Sequence, residues 1–312
     1  MQDFERLDGQ VIVVSGAGRG IGRGIAMVAA ARGARVIVND YGTDIAGLQG
    51  GDSGPAADVV RAIADAGGEA AAVVADVGTE IGARETVQAA LDTFGRIDGL
   101  VHAACIFPEQ CEFEKLPRTD YKRVVAVTVD GSWGLAQAAW PHMKAQRHGR
   151  IVLIQSAAGF YGRIGMPAYS IAKSAMIGFT GYLRQEGAAH GILVNNLSPV
   201  AWTRVPAIED GLAYMESLFP PEDLGTVTAL LLHPAFSHSG LYLHAGGGVV
   251  TSMSLPETRG VAFARDGFTP SAIHARLGEI LDRTDQALER SSVDEVGAAL
   301  FAAIQARDAA IV

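Results

Sequence analysis

Short, continuous apolar runs alternate along most of the chain with longer stretches of helical character. Seven of the runs have strand character, and they occupy residues 11–15, 35–39, 70–75, 99–103, 150–155, 193–197 and 241–244. Most are apolar at consecutive positions, which indicates burial on both faces. The stretches between them are long enough for crossover helices. We therefore predict an α/β fold, with a doubly wound parallel (Rossmann) sheet of about seven strands in residues 1–248.

Two segments interrupt this pattern. Residues 41–55 form a Gly-rich insertion that is long for a strand-to-helix connection, so it is either functional or mobile. Residues 249–312 are predicted to be a helical C-terminal extension, in which Ser292 and Glu295 form a capping box. Its apolar stripes must be buried, on this subunit or on a partner. The stripe residues are Ile273, Leu277, Ile280, Leu281 and Leu288, then Val296, Ala299, Leu300, Ala303 and Ile304.

Composition narrows the function classes. The 312 residues carry 25 Lys and Arg against 34 Asp and Glu, and this acidic balance argues against a nucleic-acid partner. No apolar run is long enough to span a membrane. Two cysteines are too few for a disulfide framework, so we expect a cytoplasmic location. The spacing of the histidines predicts no catalytic metal.

The first strand leads directly into a Gly-rich turn, SGAGRGIG, and then into a helix. Glycine lets the backbone approach a pyrophosphate closely, and the amides at a helix N-terminus attract its negative charge. This context predicts a dinucleotide site. Its predicted contacts in the turn are Ser15, Gly16, Arg19, Gly20, Ile21 and Gly22.

An acidic residue closes the second strand. Asp40 lies where a carboxylate can accept hydrogen bonds from an adenosine ribose and repel a 2′-phosphate. Arg19 in the turn would instead attract such a phosphate, so we favour NAD as the cofactor and keep NADP as the alternative. Asp76 and Val77 follow the third strand and are predicted to touch the adenine.

Tyr169 and Lys173 lie one helical turn apart in a segment that begins at Pro167. This spacing puts both side chains on one helix face. A free phenol titrates at about pH 10, and we expect the ammonium and a cationic nicotinamide ring to lower that pKa. Ser156 ends the fifth strand and can hydrogen-bond a substrate oxygen. The pattern favours general acid/base chemistry on an alcohol or ketone.

The Gly-rich turn, Ser156, Tyr169 and Lys173 together resemble the short-chain dehydrogenase/reductase family over about residues 7–248. The resemblance implies hydride transfer between NAD or NADP and a secondary alcohol or ketone. It also implies that Tyr169 is the general acid/base, that Lys173 lowers its pKa and binds the nicotinamide ribose, and that Ser156 orients the substrate.

Within this family, three segments are similar to the (3R)-hydroxyacyl-CoA dehydrogenase unit of peroxisomal type 2 multifunctional enzymes. They are 38–42 (VNDYG), 91–98 (LDTFGRID) and 138–144 (AAWPHMK). The substrate is therefore expected to be a small molecule, with a 3-hydroxyacyl-CoA and a hydroxysteroid-like alcohol as candidates. The family resemblance further implies a homodimer or homotetramer, formed through the helix that carries Tyr169 and the helix that follows Arg118.

The chain departs from the family pattern at three places. The sequence HAAC (102–105) stands where the family has NNAG, Thr128 stands where it has a helical Asn, and Val200 stands where it has Gly. The residues that the resemblance assigns to the cofactor in these later segments are His102, Ala103, Ala104, Pro199, Val200 and Thr203.

The first two departures support a second hypothesis. In it, the chain is an NAD-binding protein on the same scaffold, with a lyase, isomerase or regulatory role. Segments 106–116, 160–166 and 202–219 are expected to build the substrate pocket, and their sequences do not indicate which substrate it binds. The sequence therefore leaves the substrate and the direction of the reaction open.

Overall fold

The computed structural model describes residues 4–203, 217–265, 267–282 and 293–309. In it the chain divides into two compact units, Met1–Ser252 and Met253–Val312. An eight-stranded sheet forms the centre of the first unit, in the order β3-β2-β1-β4-β5-β6-β7-β8. The strands are β1 (Val11–Ser15), β2 (Arg35–Asn39), β3 (Glu69–Val73), β4 (Gly99–His102), β5 (Gly149–Ile154), β6 (Ile192–Pro199), β7 (Tyr242–Gly246) and β8 (Val249–Ser252). Neighbouring strands are parallel except β7 and β8, which confirms the predicted fold.

The last strand, β8, is the one that the hydrophobic pattern missed. β7 and β8 form a hairpin in which Gly246 pairs with Val249. The two residues between them, Gly247 and Gly248, have φ values of 58° and 75°. Tight hairpin turns require such positive φ values, so the run of glycines was the available signal. The predicted domain end at residue 248 falls inside this hairpin.

Helices cover both faces of the sheet. Among the described residues of the first unit, the α-helices are α1 (Gly20–Ala31), α2 (Gly54–Asp65), α3 (Glu80–Phe94), α4 (Arg118–Val125), α5 (Gly131–Gln146), α6 (Ala158–Tyr161), α7 (Pro167–Ala188) and α8 (Pro221–Leu232). Helices α1, α2 and α8 pack on one face, and α3, α5 and α7 pack on the other. In β1, Ile12 and Val14 join the first core while Val11 and Val13 join the second. Burial on both faces explains why this strand is apolar at consecutive positions.

The strand order positions the functional site. The chain runs from β1 outward to β3 and then returns to β4 on the other side of β1. Such a reversal leaves a crevice outside the carboxyl ends of the central strands. Because the Gly-rich turn follows β1 and Ser156 follows β5, the fold brings both to this edge.

In the second unit, the described residues before position 270 are irregular and three helices follow them. The helices are α9 (Pro270–Ala275), α10 (Leu277–Ile280) and α11 (Val293–Ala309). Thr269 caps α9 through its side-chain oxygen. Leu300 on α11 is 65% exposed, so the burial expected for this apolar stripe does not come from the described helices of this unit. The predicted positions Leu288 and Ser292 lie outside the described residues.

Candidate active site

A cavity of about 760 Å³ opens at the carboxyl edge of the sheet, within the first unit. This volume is typical of cofactor and small-molecule sites. Its wall combines the Gly-rich turn, the ends of β2 to β6, the insertion 41–55 and the start of α7. The predicted site residues that line it are Gly16, Arg19, Gly20, Ile21, Gly22, Asp40, Asp76, Val77, Ala103, Ala104, Ser156, Tyr169, Lys173, Pro199 and Thr203.

Three predicted cofactor contacts do not line the cavity. Ser15 and His102 are buried at the ends of adjacent strands, where Ser15 Oγ lies 2.8 Å from His102 Nδ1. Ser15 Oγ also accepts a hydrogen bond from the Ala104 amide (3.5 Å), so this pair supports the turn that does line the cavity. The Val200 amide donates to the Ala245 carbonyl at 2.7 Å, which ties Val200 to β7. Pairing of β1 with β4 thus keeps Ser15 and His102 buried within the sheet.

Backbone geometry shapes the Gly-rich turn into a cradle. A Cβ atom on Gly16 would lie 2.6 Å from Cα of Ala104, and one on Gly22 would lie 2.2 Å from the carbonyl oxygen of Gly16. Helix α1 has no side-chain cap and no acidic residue in its first turn. Its first amides are therefore left for a ligand, and the arrangement fits a pyrophosphate.

Two backbone amides fix Asp40 at the wall of the cavity. Its carboxylate accepts hydrogen bonds from the amides of Gly18 (2.8 Å) and Gly42 (2.7 Å). The Arg19 guanidinium donates to the Thr43 carbonyl at 3.1 Å, so the insertion holds this cation. An anion thus stays in place beside the turn, while part of the donor capacity of Arg19 is used by the protein.

The Gly-rich insertion is part of the cavity wall. The Phe107 amide donates to the Ile45 carbonyl at 2.8 Å, which joins the insertion to the segment after β4. A Cβ atom on Gly47 would lie 2.9 Å from Cγ2 of Ile106, so the two segments are in close contact. Of the two alternatives left by the sequence, this placement favours a functional insertion.

The three predicted catalytic residues meet in the same wall. Lys173 is almost fully buried, and its Nζ donates to the Ile154 carbonyl at 2.5 Å. This nitrogen lies 5.6 Å from the ring centroid of Tyr169. Ser156 forms a side-chain hydrogen bond with Tyr169, and its Oγ accepts from the Ala158 amide at 3.2 Å. The arrangement can hold a substrate oxygen between a hydroxyl and a phenol.

Burial dominates the acidity of this group of residues. It raises the pKa of Tyr169 above its ordinary value, and Cys105 adds to that rise, while the Ser156 hydrogen bond and the charge of Arg163 oppose it. Burial also lowers the pKa of Lys173, which Cys105 partly offsets. In the chain alone, the pKa of the phenol therefore lies above its usual value, because desolvation of the phenolate outweighs the interactions that lower it.

The first two departures from the family pattern, at Cys105 and Thr128, lie side by side. Cys105 lines the cavity, and its Sγ lies 3.5 Å from Thr128 Oγ1. Thr128 is fully buried in a short π-helical segment, Ala126–Asp130, between α4 and α5. A thiol and a hydroxyl therefore occupy the place where the family has a glycine and an amide, next to Tyr169.

Two contributors to the site had no role in the sequence prediction. Asn39 Nδ2 donates to the Ala75 carbonyl (3.0 Å) and to Thr86 Oγ1 (3.1 Å), which fixes the ends of β2 and β3 beside the cavity. The Phe107 ring packs 5.0 Å from the ring of Tyr169, centroid to centroid. A polar residue closing an apolar run was an available signal for Asn39. Phe107 falls in a predicted pocket segment, but nothing in the sequence pairs it with Tyr169.

The remaining expectations concern the pocket segments, metals and membranes. Segments 106–116 and 160–166 both contribute to the cavity wall, whereas residues 204–216 lie outside the described part of the chain. In the described part, no three His, Cys, Asp or Glu side chains come together as a metal site. No helix in that part is both long enough and apolar enough to cross a membrane.

Comparisons with known proteins identify a family and similar structures. The model of the short chain dehydrogenase family matches residues 10–206. Peroxisomal multifunctional enzyme type 2 of Mus musculus is 34% identical over 295 residues, which are 94% of this chain and 39% of that enzyme. The full-length enzyme of this type from Drosophila melanogaster has a TM-score of 0.80 at 27% identity, over 96% of this chain and 50% of that one.

A third similar structure is a 7α-hydroxysteroid dehydrogenase complexed with NADH and 7-oxo glycochenodeoxycholic acid. Its TM-score is 0.70 at 28% identity, over 80% of this chain and 98% of that one. The chain spans at most half the length of the multifunctional enzymes compared, and the predicted resemblance to them is confirmed. The family match covers more than half of the chain, which therefore belongs to the short-chain dehydrogenase family.

Proposed function

We propose that the chain is an NAD-dependent oxidoreductase that transfers a hydride between a secondary alcohol or ketone and nicotinamide. The observation that carries this proposal is the buried Lys173 Nζ, 5.6 Å from the Tyr169 ring, in a cavity whose wall also contains the Gly-rich cradle. Membership of the short-chain dehydrogenase family supports chemistry on CH–OH groups.

The chain's own residues fit a dinucleotide. Gly16 and Gly22 leave room that a Cβ atom would fill, and the first amides of α1 would hold the pyrophosphate. Asp40 would accept hydrogen bonds from the adenosine ribose, and Lys173 would bind the nicotinamide ribose. When bound, the cofactor supplies the hydride acceptor or donor.

Proton transfer falls to Tyr169. In oxidation, the phenolate form of Tyr169 takes the hydroxyl proton of the alcohol, and in reduction the phenol form gives a proton to the ketone oxygen. Because burial raises the pKa of this phenol, Tyr169 is protonated at neutral pH, which suits it to donate in the reductive direction. Ser156 holds the substrate oxygen, and the charge of Lys173 stabilises the phenolate as it forms.

The cofactor preference rests on Asp40. Its carboxylate is held by two amides, and a fixed anion would repel a 2′-phosphate. Arg19, the cation that would attract such a phosphate, already donates to the insertion. The complex of a similar dehydrogenase with NADH is consistent with NAD, and NADP remains the less favoured alternative.

Two substrate classes are candidates. A hydroxysteroid-like alcohol is supported by the 7α-hydroxysteroid dehydrogenase among the similar structures. A 3-hydroxyacyl-CoA is supported by the resemblance to hydroxyacyl-CoA dehydrogenase units that the sequence itself carries. Both present a secondary alcohol, which is the group that Tyr169 and Ser156 are arranged to bind.

The test is NADH formation with a panel of 3-hydroxyacyl thioesters and hydroxysteroids. We expect Tyr169→Phe to lower kcat by about 10²- to 10⁴-fold while NADH binding is kept, because it removes only the transferable proton. The control is Tyr182→Phe, which removes an exposed hydroxyl from the same helix. Undiminished turnover in Tyr169→Phe would remove the proposed acid/base.

The pair Cys105 and Thr128 supports a second candidate function. It replaces the family's glycine and amide next to the phenol, and it would suit a protein that binds NAD without net redox chemistry. That candidate, a lyase, isomerase or regulatory protein, predicts NAD binding with no turnover of any alcohol in the panel.

We also propose a homodimer or homotetramer, formed through α7 and the helices that follow Arg118. Trp133 is 54% exposed and stacks on Phe179 at 5.6 Å, which places an apolar aromatic surface on α5 and α7. Sedimentation of the purified chain tests this assembly. A cytoplasmic location belongs to the proposal as well, with two free thiols in support, although the mouse relative is peroxisomal by name.

A further inference from the structure

Arg163 lies on the turn between α6 and α7, the segment that separates Ser156 from Tyr169 in sequence. Its backbone is fixed on both sides. The amide donates to Ser170 Oγ at 3.0 Å, and the carbonyl accepts from the Met166 amide at 3.1 Å. The residue is exposed and lines the cavity. An anchored turn therefore presents a guanidinium at the cavity wall.

This cation differs from the others in the wall. Arg19 and Lys173 each donate to a backbone carbonyl, and Arg123 forms an ion pair with Asp120 at 2.8 Å. Within the described residues, no ion pair or side-chain hydrogen bond engages the guanidinium of Arg163. Its five donors are thus available to a ligand.

The charge of Arg163 acts on the catalytic phenol. It lowers the pKa of Tyr169 against the effect of burial. Arg163 and Tyr169 line the same cavity, so a ligand bound in it can contact both side chains. On another side of Tyr169, the Phe107 ring offers an apolar wall.

We propose that Arg163 determines specificity by binding an anionic oxygen group of the substrate, a carboxylate or a phosphate. A guanidinium matches both groups with paired hydrogen bonds. The substrate would place its carbinol at Tyr169, an apolar part against Phe107 and its anion at Arg163. This inference rests on the proposed function, because it names the substrate class of the same site.

The experiment compares three alcohols with one carbon skeleton: 3-hydroxybutyrate, 3-hydroxybutyryl-CoA and methyl 3-hydroxybutyrate. We expect Arg163→Gln to lower kcat/KM for an anionic substrate by about 10- to 100-fold relative to the neutral ester. The loss of charge also changes the pKa of Tyr169 for every substrate. The readout is therefore the ratio of kcat/KM for the anionic substrate to kcat/KM for the neutral ester. If this ratio falls for the free acid, Arg163 binds a carboxylate. If it falls for the CoA ester alone, Arg163 binds a phosphate.

Two variants control for a general disturbance of the wall. Arg163→Lys keeps the charge and should restore part of the ratio. Arg84→Gln removes an exposed cation from α3, outside the cavity wall, and should leave the ratio unchanged. An equal change for all three alcohols in Arg163→Gln would overturn the proposal.

A binding measurement separates this inference from the proposed function. In a Tyr169→Phe chain loaded with NADH, Arg163→Gln should weaken the binding of acetoacetate or acetoacetyl-CoA by about tenfold or more. It should leave the binding of methyl acetoacetate unchanged. Absence of turnover in the wild-type chain would reject the dehydrogenase function but not the anion site. Unchanged binding of both anionic ligands would reject the role of Arg163.

Discussion

The cofactor end and the catalytic end of the cavity are built from different parts of the polypeptide. At the Gly-rich turn, backbone atoms determine the shape, since a Cβ atom on Gly22 would come within 2.2 Å of a carbonyl oxygen. At the catalytic end, side chains determine it: Lys173 reaches the carbonyl of Ile154, and Cys105 lies against Thr128.

This difference separates what the fold requires from what can vary. The backbone cradle has no room for substitution, so its glycines follow directly from the need to approach a phosphate. The catalytic end keeps Ser156, Tyr169 and Lys173 but carries Cys105 and Thr128 beside them. Side chains of similar size can be exchanged there without moving the backbone, which lets one scaffold serve different substrates.

The largest expected effect comes from placing a methyl group in the backbone cradle. Gly22→Ala should weaken NADH binding by about 100-fold or more and lower the free energy of unfolding by about 1–3 kcal/mol, because the carbonyl of Gly16 must move. Fluorescence titration and urea denaturation measure the two effects.

The matched control for this change is Gly278→Ala. Gly278 also lies in a helix, and a Cβ atom there would meet nothing within 4 Å. The Gly278→Ala variant should therefore bind NADH as the wild-type chain does. Equal affinity of both variants for NADH would mean that the turn is not the phosphate cradle.

A smaller effect is expected from the buried histidine beneath the catalytic end. Burial, with the charge of Lys173, lowers the pKa of His102 to about 3 from its usual 6.5. Below pH 6.5 the His102 side chain binds a proton in the unfolded chain but stays neutral in the folded chain. Stability should therefore be highest above pH 6.5 and fall below it, by about 2 kcal/mol from this residue between pH 7.5 and pH 5.

The variant His102→Asn tests this pH dependence. Urea denaturation at pH 7.5 and pH 5 should show a shallower loss of stability than in the wild-type chain, whatever the absolute stability. His274→Asn, at an exposed position, should keep the wild-type slope. Parallel slopes for all three proteins would show that His102 takes up a proton in the folded state.

The smallest expected effect lies at the side chain that borders the cradle. Asp40→Asn keeps an acceptor oxygen for one of the two amides, Gly18 or Gly42, and removes the negative charge. The ratio of kcat/KM for NADP to that for NAD should rise about tenfold, because the repulsion of a 2′-phosphate is lost. Asp52→Asn, an exposed change in the insertion, should not alter the ratio. An unchanged ratio in Asp40→Asn would place the cofactor preference elsewhere.

Much of the fold could be predicted because the burial of a strand is visible in the apolar character of its own residues. β1 and β2 have the predicted bounds, since a strand covered on both faces is apolar at successive positions. β8 was missed because its residues are exposed and its signal is only the pair of glycines at the hairpin turn. The site could be predicted where spacing defines geometry, as for Tyr169 and Lys173.

Contacts between distant segments could not be predicted in this way. Ser15 and His102 were expected at the cofactor, but parallel pairing of β1 and β4 buries them together. Likewise, Phe107 reaches the Tyr169 ring only through the path of the loop after β4.

The sequence by itself determined the layered α/β fold, the Gly-rich turn and the spacing of Tyr169 and Lys173, because each depends on neighbouring residues along one strand or helix. Only the tertiary structure decided how acidic the phenol is and which cation in the wall is left for a ligand. Both depend on burial and on partners from remote segments: desolvation raises the pKa of Tyr169 against the Ser156 hydrogen bond and the charge of Arg163, and Arg163 has no counter-ion among the described residues.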